Sequence, residues 1–498
     1  MTSSVCPVSV KPAGCDRKMM AVRALAGAEP VSAVAARHGV SRPLVYRQMR
    51  KASAALDEAF SPTQMDEDAD KVLFSLRVTR RWLEQVILAL TMIGHASMRG
   101  VIEFMSDLLG VSISLGTVHN VHQRAAQRAM AINNSIDLSA IRVGLHDEIF
   151  QGTRPVLTGI DAASTYCYLL ADEDHRDGDT WAIHLLDLQR QGLHPDFTIA
   201  DAGTGLRAGQ KLAWPDTPCH GDVFHICQQF ETLANIWTRL ASGVRTERKA
   251  LEARLANPRR RCQDSLLIDR LDELRPLEAR AHQRADDLRT LTLWLERDVL
   301  SLAGPDLPTR QELFDFIVEQ LRQREPEDPS RIGTMRVALQ NQRNDLLAFA
   351  GVLDQKLDAI ASDTAVAGHL VRATCLLHRK PETSVAFWQA WNRLHAAIGR
   401  RFHEVWTAVS QALHDTPRSS SLVESLNSRL RNCLTLRHHL DGGRAWLELL
   451  KFFVNHRRFT RSRCSGRVGK SPREAMTGEA HSHWLTLLGL GPLQPREI

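Results

Sequence analysis

The sequence lacks long apolar runs, paired cysteines and a strong overall charge. Its longest apolar stretches, such as residues 86–90, are too short to span a bilayer, so no membrane segment is expected. Nine cysteines occur without a C-x-x-C pair, which argues against a disulfide framework and a cysteine-rich zinc site. Arg23 interrupts the faintly signal-like stretch at residues 18–28, which argues against export. We therefore expect a cytoplasmic protein.

The composition is that of a folded protein with an uneven charge. The 498 residues are 43% apolar and 24% charged, which predicts two to four domains. Between Arg429 and Arg473 there are 12 lysines and arginines against two acids, which gives this segment a charge of +10. The rest of the chain carries −4, so the net charge of the whole chain is +6. A polyanion would meet that segment first, although a solvated basic face is the alternative.

Residues 31–52 have the pattern of a helix-turn-helix. A first helix with small inward residues is followed by Gly39 at the turn, and Ser41 would cap a second helix. Three arginines of the second helix would face phosphates or bases: Arg42, Arg47 and Arg50. We predict a helix-turn-helix DNA-binding domain over residues 1–60, with a small structural hairpin as the alternative.

The next two segments are a linker and a second helical domain. Residues 61–73 contain Pro62 and several acids, which favours a linker. Residues 74–135 are helical, and Gly110 and Ser114 mark a second helix-turn-helix pattern. Because its outward face is less basic than the first, DNA contact and a packing role both stay open.

From residue 141 the periodicity changes to that of strands. Three antiparallel strands, a helix, a strand, a helix and a strand are predicted over residues 136–225. This is the order of an RNase H-like α/β core with a mixed five-stranded sheet. The order places Asp147 on the first strand and Asp201 at the end of the fourth, which are neighbours in such a sheet. Carboxylates at strand ends can hold a divalent metal.

A large α-helical insertion is predicted over residues 226–415. Apolar residues at approximately heptad spacing over residues 267–302 form a seam that could serve as an oligomerisation arm or could simply pack in a core. Pro276 should interrupt or kink this seam. A capped helix then begins, with Glu424 in its first turns. The remaining divisions are the C-terminal part of the core with the basic segment, and a tail, at residues 416–475 and 476–498.

Two other acids compete for the metal-ligand roles. Glu148 directly follows Asp147, so its side chain should point to the opposite face of the strand. Asp161 lies at a predicted hairpin turn. Both positions make these acids weaker candidates than Asp147.

The histidines near the fifth strand allow several interpretations. Cys219, His220 and His225 could form a zinc set, but a fourth ligand at suitable spacing is missing. Asp222 and His225 could support the metal site or contact DNA. A buried, hydrogen-bonded histidine is an equal alternative for His225.

At these residues the sequence resembles the DDE transposases of bacterial insertion sequences. It is most similar to the group with a helical insertion before the Glu, shared with the Mutator-like and hAT elements. The resemblance spans roughly residues 141–475, including an ending with Asn-His-Arg-Arg and Gly-Lys-Ser-Pro-Arg-Glu. Its central motifs are Asp147 in His-Asp-Glu-Ile-Phe, Asp201 in Ile-Ala-Asp-Ala-Gly, Asp222 and His225 in Gly-Asp-Val-Phe-His, and Glu424 in Leu-Val-Glu-Ser-Leu-Asn.

The resemblance implies metal-dependent DNA cleavage and strand transfer. Two Mg²⁺ ions about 4 Å apart, or Mn²⁺ in their place, would clamp the attacking and leaving oxygens. In that scheme Asp147 bridges both ions, and Asp201 and Glu424 bind one each. Asp222 and His225 would support the site. The arginines expected to hold DNA near it are Arg429, Arg431, Arg457 and Arg458.

The resemblance also implies the partners. Double-stranded DNA would be bound at the terminal inverted repeats and at the target, by a homo-oligomer that brings two element ends together. Two rivals stay open: a catalytically inactive helix-turn-helix regulator, and an RNase H-like nuclease without strand transfer. Intact carboxylates with intact flanks argue against the first, and the sequence does not decide against the second.

Overall fold

The structure, a computed structural model, describes residues 14–60, 77–256, 265–434, 443–462, 464–491 and 493. It forms two compact units, one within Met1–Arg77 and one within Val78–Gln494. The linker predicted at residues 61–73 lies outside the described residues. None of the helices in the described ranges combines the length and the apolar character needed to cross a membrane.

The described part of the first unit contains three helices: α1 (Gly14–Leu25), α2 (Val31–Arg37) and α3 (Arg42–Phe60). Gly39 has φ +61° in the turn between α2 and α3, a left-handed conformation that glycine adopts without strain. The helices enclose a small apolar core of Met20, Ala24, Val34, Ala35 and Val45. The helix, turn and helix thus lie where the sequence pattern places them.

The second unit begins with three helices, α4 (Arg80–Met92), α5 (Met98–Leu109) and α6 (Leu115–Asn134). Gly110 ends α5 in a left-handed conformation, and the Ser114 hydroxyl accepts a hydrogen bond from the Thr117 amide to cap α6. Their apolar residues belong to the same hydrophobic cluster as one face of the central sheet. The segment therefore packs against the sheet, which is one of the two roles that its sequence allows.

The central sheet has five strands in the order β3-β2-β1-β4-β5. Strand β2 is antiparallel to β1 and β3, whereas β4 is parallel to β1 and β5, so the predicted mixed five-stranded sheet is confirmed. The elements follow one another as β1 (Val143–Gln151), β2 (Arg154–Asp161), β3 (Cys167–Asp172), α7 (Gly178–Arg190), β4 (Phe197–Ala200), α8 (Thr204–Ala213) and β5 (Cys219–Gly221).

Alternation along the strands assigns side chains to two faces. Leu145, Ile149 and Ile199 pack with α4, α5 and α6. Leu157 and Ala200 face the opposite side and pack with apolar residues of α7 and α8. On β1 and β4, odd-numbered side chains therefore face the layer of α4, α5 and α6. Even-numbered side chains face the layer of α7 and α8.

Outside residues 257–264, the insertion between β5 and the C-terminal part contains seven α-helices: α9 (Val223–Leu255), α10 (Ser265–Trp294), α11 (Leu307–Arg324), α12 (Thr334–Thr364), α13 (Gly368–Leu377), α14 (Val385–Ile398) and α15 (Phe402–His414). Leu274, Leu288 and Val299 of the heptad-like seam are buried within the insertion's own clusters, as core packing predicts. Helix α10 continues through Pro276, so of the predicted interruption or kink the interruption is wrong. Extensive packing along α9 offsets the lost amide hydrogen bond. Short π-helical and 3₁₀ segments lie at Leu295–Val299, Glu325–Glu327, Pro329–Gly333 and Gly399–Arg401.

The chain then returns to the sheet through α16 (Ser421–Leu434), α17 (Arg444–His456), α18 (Pro472–Thr477) and α19 (Trp484–Leu487), with a 3₁₀ turn at Ser465–Arg467. Val423, Leu426 and Leu430 form an apolar stripe at helical spacing that packs on the sheet face of Leu145. Helix α16 therefore covers the face to which the odd-numbered residues of β1 point.

Candidate metal centre

Three aspartates form a row across one edge of the parallel strands. The parallel pairing of β1 and β4 ends at Leu145 and Ile199, and Asp147 and Asp201 each lie two residues beyond this pair. In the register of β4 and β5, Ala200 pairs with Gly221, and one further step aligns Asp201 with Asp222. Because β1, β4 and β5 are neighbours in the sheet, the three aspartates lie at or just beyond the same edge of it. The predicted neighbourhood of the strands of Asp147 and Asp201 is confirmed.

Asp147 and Glu148 point to opposite faces of β1, as alternation predicts. The Asp147 carboxylate meets α16, where its Oδ2 accepts a hydrogen bond from Asn427 Nδ2 at 2.6 Å. The Glu148 carboxylate accepts a hydrogen bond from Trp181 Nε1 at 3.1 Å and pairs with Arg176 at 2.9 Å, on the α7 face. Glu148 is therefore engaged away from the row of aspartates.

The structure brings Asp147, His225 and Glu424 together into one cluster. One donor atom from each of the three lies within 4.8 Å of the others, a geometry that could hold a metal ion. His225 Nε2 is 3.8 Å from Glu424 Oε1 and 4.0 Å from Asp147 Oδ1. Asp201, the neighbour of Asp147 in the sheet, is outside this group of three but raises the pKa of Asp147 through its charge.

Buried polar atoms around Asp147 fit a bound cation. His225 Nε2, Asn427 Oδ1 and Thr158 Oγ1 are each buried without a hydrogen-bond partner among the described residues. Thr158 is the antiparallel partner of Asp147 on β2, so its side chain rises from the same face of the sheet. Buried polar atoms are normally satisfied by protein, water or an ion. The group of Asp147, His225 and Glu424, with unsatisfied atoms on His225 and on residues that neighbour Asp147, could therefore hold a metal ion.

Asn427 is a site residue that the sequence analysis missed. Its side chain is fully buried and links α16 to β1 across 280 positions of the chain. The amide fixes one oxygen of the Asp147 carboxylate, while the Glu148 backbone amide donates to the other at 2.8 Å. The spacing of three residues from Glu424, which places both side chains on one helical face, is the signal that could have found it.

Asp222 ties the start of α16 to the end of β5. Its Oδ1 accepts hydrogen bonds from the Phe224 amide at 2.8 Å and the Ser420 amide at 3.1 Å, and its Oδ2 accepts one from the Ser420 hydroxyl. The Arg418 carbonyl accepts a further bond from the Val223 amide. These contacts make Asp222 a residue that positions the helix carrying Glu424, four residues beyond Ser420.

The pKa of Asp147 is raised from 3.8 to about 7, first because the carboxyl group is buried and further because Glu424 and Asp201 are close. The Glu148 amide and His225 partly oppose this change. Between about pH 4 and pH 7 the folded chain thus holds a proton that the unfolded chain has lost. Stability of the metal-free protein should therefore fall as the pH rises through this window.

This pH dependence is testable by comparing the wild type with Asp147→Asn. The thermal midpoint of the metal-free wild type should fall more steeply between pH 5 and pH 8 than that of the variant, which carries no titrating group at position 147. Differential scanning calorimetry in the presence of a chelator measures both slopes. Equal slopes would show that Asp147 does not titrate in this range.

The predicted DNA-binding arginines occupy different environments. On α3, Arg42, Arg47 and Arg50 are exposed. On α16, Arg429 is exposed and Arg431 Nη1 lies 3.7 Å from Glu424 Oε2. Arg457 is exposed and lies over the Phe453 ring, with 5.5 Å between the guanidinium carbon and the ring centre. Arg458 forms a bidentate pair with the buried Glu474, which gives it a structural role as well.

The competing ligand sets do not assemble. His220 stacks on Phe197 with ring centres 4.4 Å apart, and burial lowers the pKa of its imidazole to about 4. Asp161 is buried and accepts hydrogen bonds from the amide and hydroxyl of Ser164 in the hairpin turn. Within the described ranges, the metal-ligand cluster contains neither Cys219 nor His220.

A scan against protein-family models and a search of the curated proteins each found no match for this chain. The geometry and chemistry of the cluster therefore carry the functional proposal.

Proposed function

We propose that the protein is a transposase with an RNase H-like catalytic core, which cleaves DNA at the ends of a mobile element and joins them to a target. The observation that carries the proposal is the cluster of Asp147, His225 and Glu424, next to the strand that ends before Asp201. The strand order β3-β2-β1-β4-β5, with β2 antiparallel, supports the assignment of the core. The helical insertion between β5 and α16 agrees with the group of transposases that the sequence resembles.

The three carboxylates would hold divalent cations, proposed to be two Mg²⁺ ions with Mn²⁺ as a substitute. Such ions stabilise charge on the phosphodiester and activate water for in-line attack. Asp147 is suited to the central position because its carboxylate lies near Glu424 and feels the charge of Asp201. Asn427 orients its carboxylate, and Asp222 holds the start of α16.

DNA would be held by arginines beside the cluster and on the first unit. Arg431 is half-exposed and reaches the Glu424 carboxylate, so a phosphate near the metal centre is within its range. Arg429 shares the helix, and Arg457 lies in the same basic segment. Because two element ends must be processed together, we propose that a homo-oligomer assembles on the DNA.

The experiment that tests the function incubates the full chain with DNA carrying the ends of its element and with Mg²⁺ or Mn²⁺. We expect nicking at the element end, followed by joining of the freed 3′-hydroxyl to target DNA. Binding without cleavage would favour the inactive regulator, and cleavage without joining would favour an RNase H-like nuclease. Inverted repeats flanking the reading frame supply the DNA sequence for the assay.

Deletion of residues 1–60 tests the proposed role of the helix-turn-helix. The truncated chain should lose end-specific binding, which depends on base contacts from α3, more than general DNA affinity, which the basic segment supplies. Footprinting on element-end DNA measures the first, and competition with unrelated DNA measures the second. An unchanged footprint would assign end recognition to another part of the chain.

A further inference from the structure

We propose that His225 is itself a metal ligand and that its imidazole gives the centre a preference for Mn²⁺ over Mg²⁺. The inference rests on the proposed metal centre and deepens it, because a histidine expected only to support the site becomes part of the ligand set. It depends on three observations: donor distances, an unsatisfied ring nitrogen, and the attachment of the ring to a fixed helix start.

The donor distances fit a shared ion. Two donor atoms that are each about 2.1 Å from one cation lie at most about 4.2 Å apart. His225 Nε2 is 3.8 Å from Glu424 Oε1 and 4.0 Å from Asp147 Oδ1, so both pairs satisfy this limit. The third pair, Asp147 and Glu424, is within 4.8 Å, so a side-chain movement of at most about 0.6 Å brings it within the same limit.

The ring nitrogen that faces the carboxylates lacks a hydrogen-bond partner. His225 Nε2 is buried and unsatisfied among the described residues. The nearest oxygen of Asp222 is 3.5 Å away and is already engaged by the Ser420 hydroxyl. A lone pair on this nitrogen would therefore point into the cluster with no protein donor to occupy it.

The backbone that carries the ring is held in place before any ion binds. His225 lies in the first turn of α9, whose N-terminus is capped by Asp222 through the Phe224 amide. The same Asp222 holds Ser420 at the start of the Glu424 helix. One buried carboxylate thus sets the spacing between two of the three ligands, which favours preorganised binding.

The donor chemistry then selects the ion. Mg²⁺ prefers six oxygen ligands and gives up its water reluctantly, whereas Mn²⁺, as a first-row transition metal ion, accepts an imidazole nitrogen more readily. A cluster of two carboxylates and one imidazole therefore favours Mn²⁺. The alternative is a protonated His225 that pairs with the carboxylates and leaves when an ion binds.

Pulsed electron paramagnetic resonance of the full chain with one equivalent of Mn²⁺ and no DNA separates these alternatives. We expect a nitrogen coupling from a coordinated imidazole in the wild type and its loss in His225→Gln. The control is His184→Gln, which removes a histidine that pairs with Glu173 at 2.8 Å on α7 and should keep the coupling. A wild-type spectrum without nitrogen coupling would overturn the proposal.

Competition between Mn²⁺ and Mg²⁺ supplies the second readout. His225→Asp replaces the nitrogen with an oxygen donor and should lower the Mn²⁺ over Mg²⁺ preference by about 10- to 100-fold. An unchanged preference would contradict the assignment. Nitrogen coupling in a protein that never joins DNA would support His225 and refute the transposase, whereas joining without nitrogen coupling would do the reverse.

Discussion

Glu424→Gln is expected to lower the rate of DNA cleavage by about 10³-fold or more while the protein stays folded. Glutamine keeps the size and helix propensity of glutamate but supplies a neutral and much weaker metal ligand. Glu424 is only partly buried, and its contacts with His225 and Arg431 at 3.8 and 3.7 Å are longer than hydrogen bonds. Loss of packing would therefore not explain a loss of activity.

Stability and a matched variant distinguish the catalytic role from misfolding. The charge of Glu424 raises the pKa of Asp147, so its removal relieves repulsion and the thermal midpoint of the metal-free protein should be equal or higher. Glu404→Gln, an exposed acid in the first turn of α15, serves as the control and should cleave normally. Full cleavage by Glu424→Gln would remove Glu424 from the ligand set.

Asp222→Ala is expected to destabilise the protein by about 3 to 5 kcal/mol. The substitution removes a fully buried carboxylate and leaves the amides of Phe224 and Ser420 without an acceptor. The start of α16 would lose its attachment to β5, so DNA cleavage should fall together with stability. Thermal unfolding and amide hydrogen exchange across the first turns of α16 measure the two effects.

Ser420→Ala provides the graded comparison for the same contact. It removes only the hydroxyl donor and keeps the amide bond to Asp222 Oδ1, so the expected cost is about 1 kcal/mol. Equal stability of Asp222→Ala and the wild type would show that the contact between Asp222 and Ser420 does not hold the start of α16. Wild-type protection from amide hydrogen exchange in α16 of Asp222→Ala would lead to the same conclusion.

The elements that the sequence predicted well are those with strong local patterns. Short apolar runs before Asp147 and Asp201 predicted two strands, and the RNase H-like order of strands and helices predicted that they are neighbours. The helix that carries Glu424 could be predicted from the capping pattern at its start. The turn at Gly39 followed from the position of a glycine between two short helical patterns.

The contacts that complete the site could not be read from local patterns. Asp222 meets Ser420 across 198 positions, and Asn427 meets Asp147 across 280, so both pairs depend on how α16 returns after the insertion. The same return places Glu424 beside His225, whose sequence context did not distinguish a support from a ligand. Helix α10 continued through Pro276 because tertiary packing outweighed the local preference of proline.

The central claim is that the carboxylates of Asp147, Asp201 and Glu424 carry out DNA cleavage and joining. It is tested most directly at Asp201. With element-end DNA and Mg²⁺ or Mn²⁺, the wild type should nick and join, whereas Asp201→Ala should bind the same DNA and do neither. Asp196→Ala, which changes an exposed aspartate at the opposite end of β4, is the control and should retain both activities. Cleavage by Asp201→Ala at the wild-type rate would contradict the proposed site.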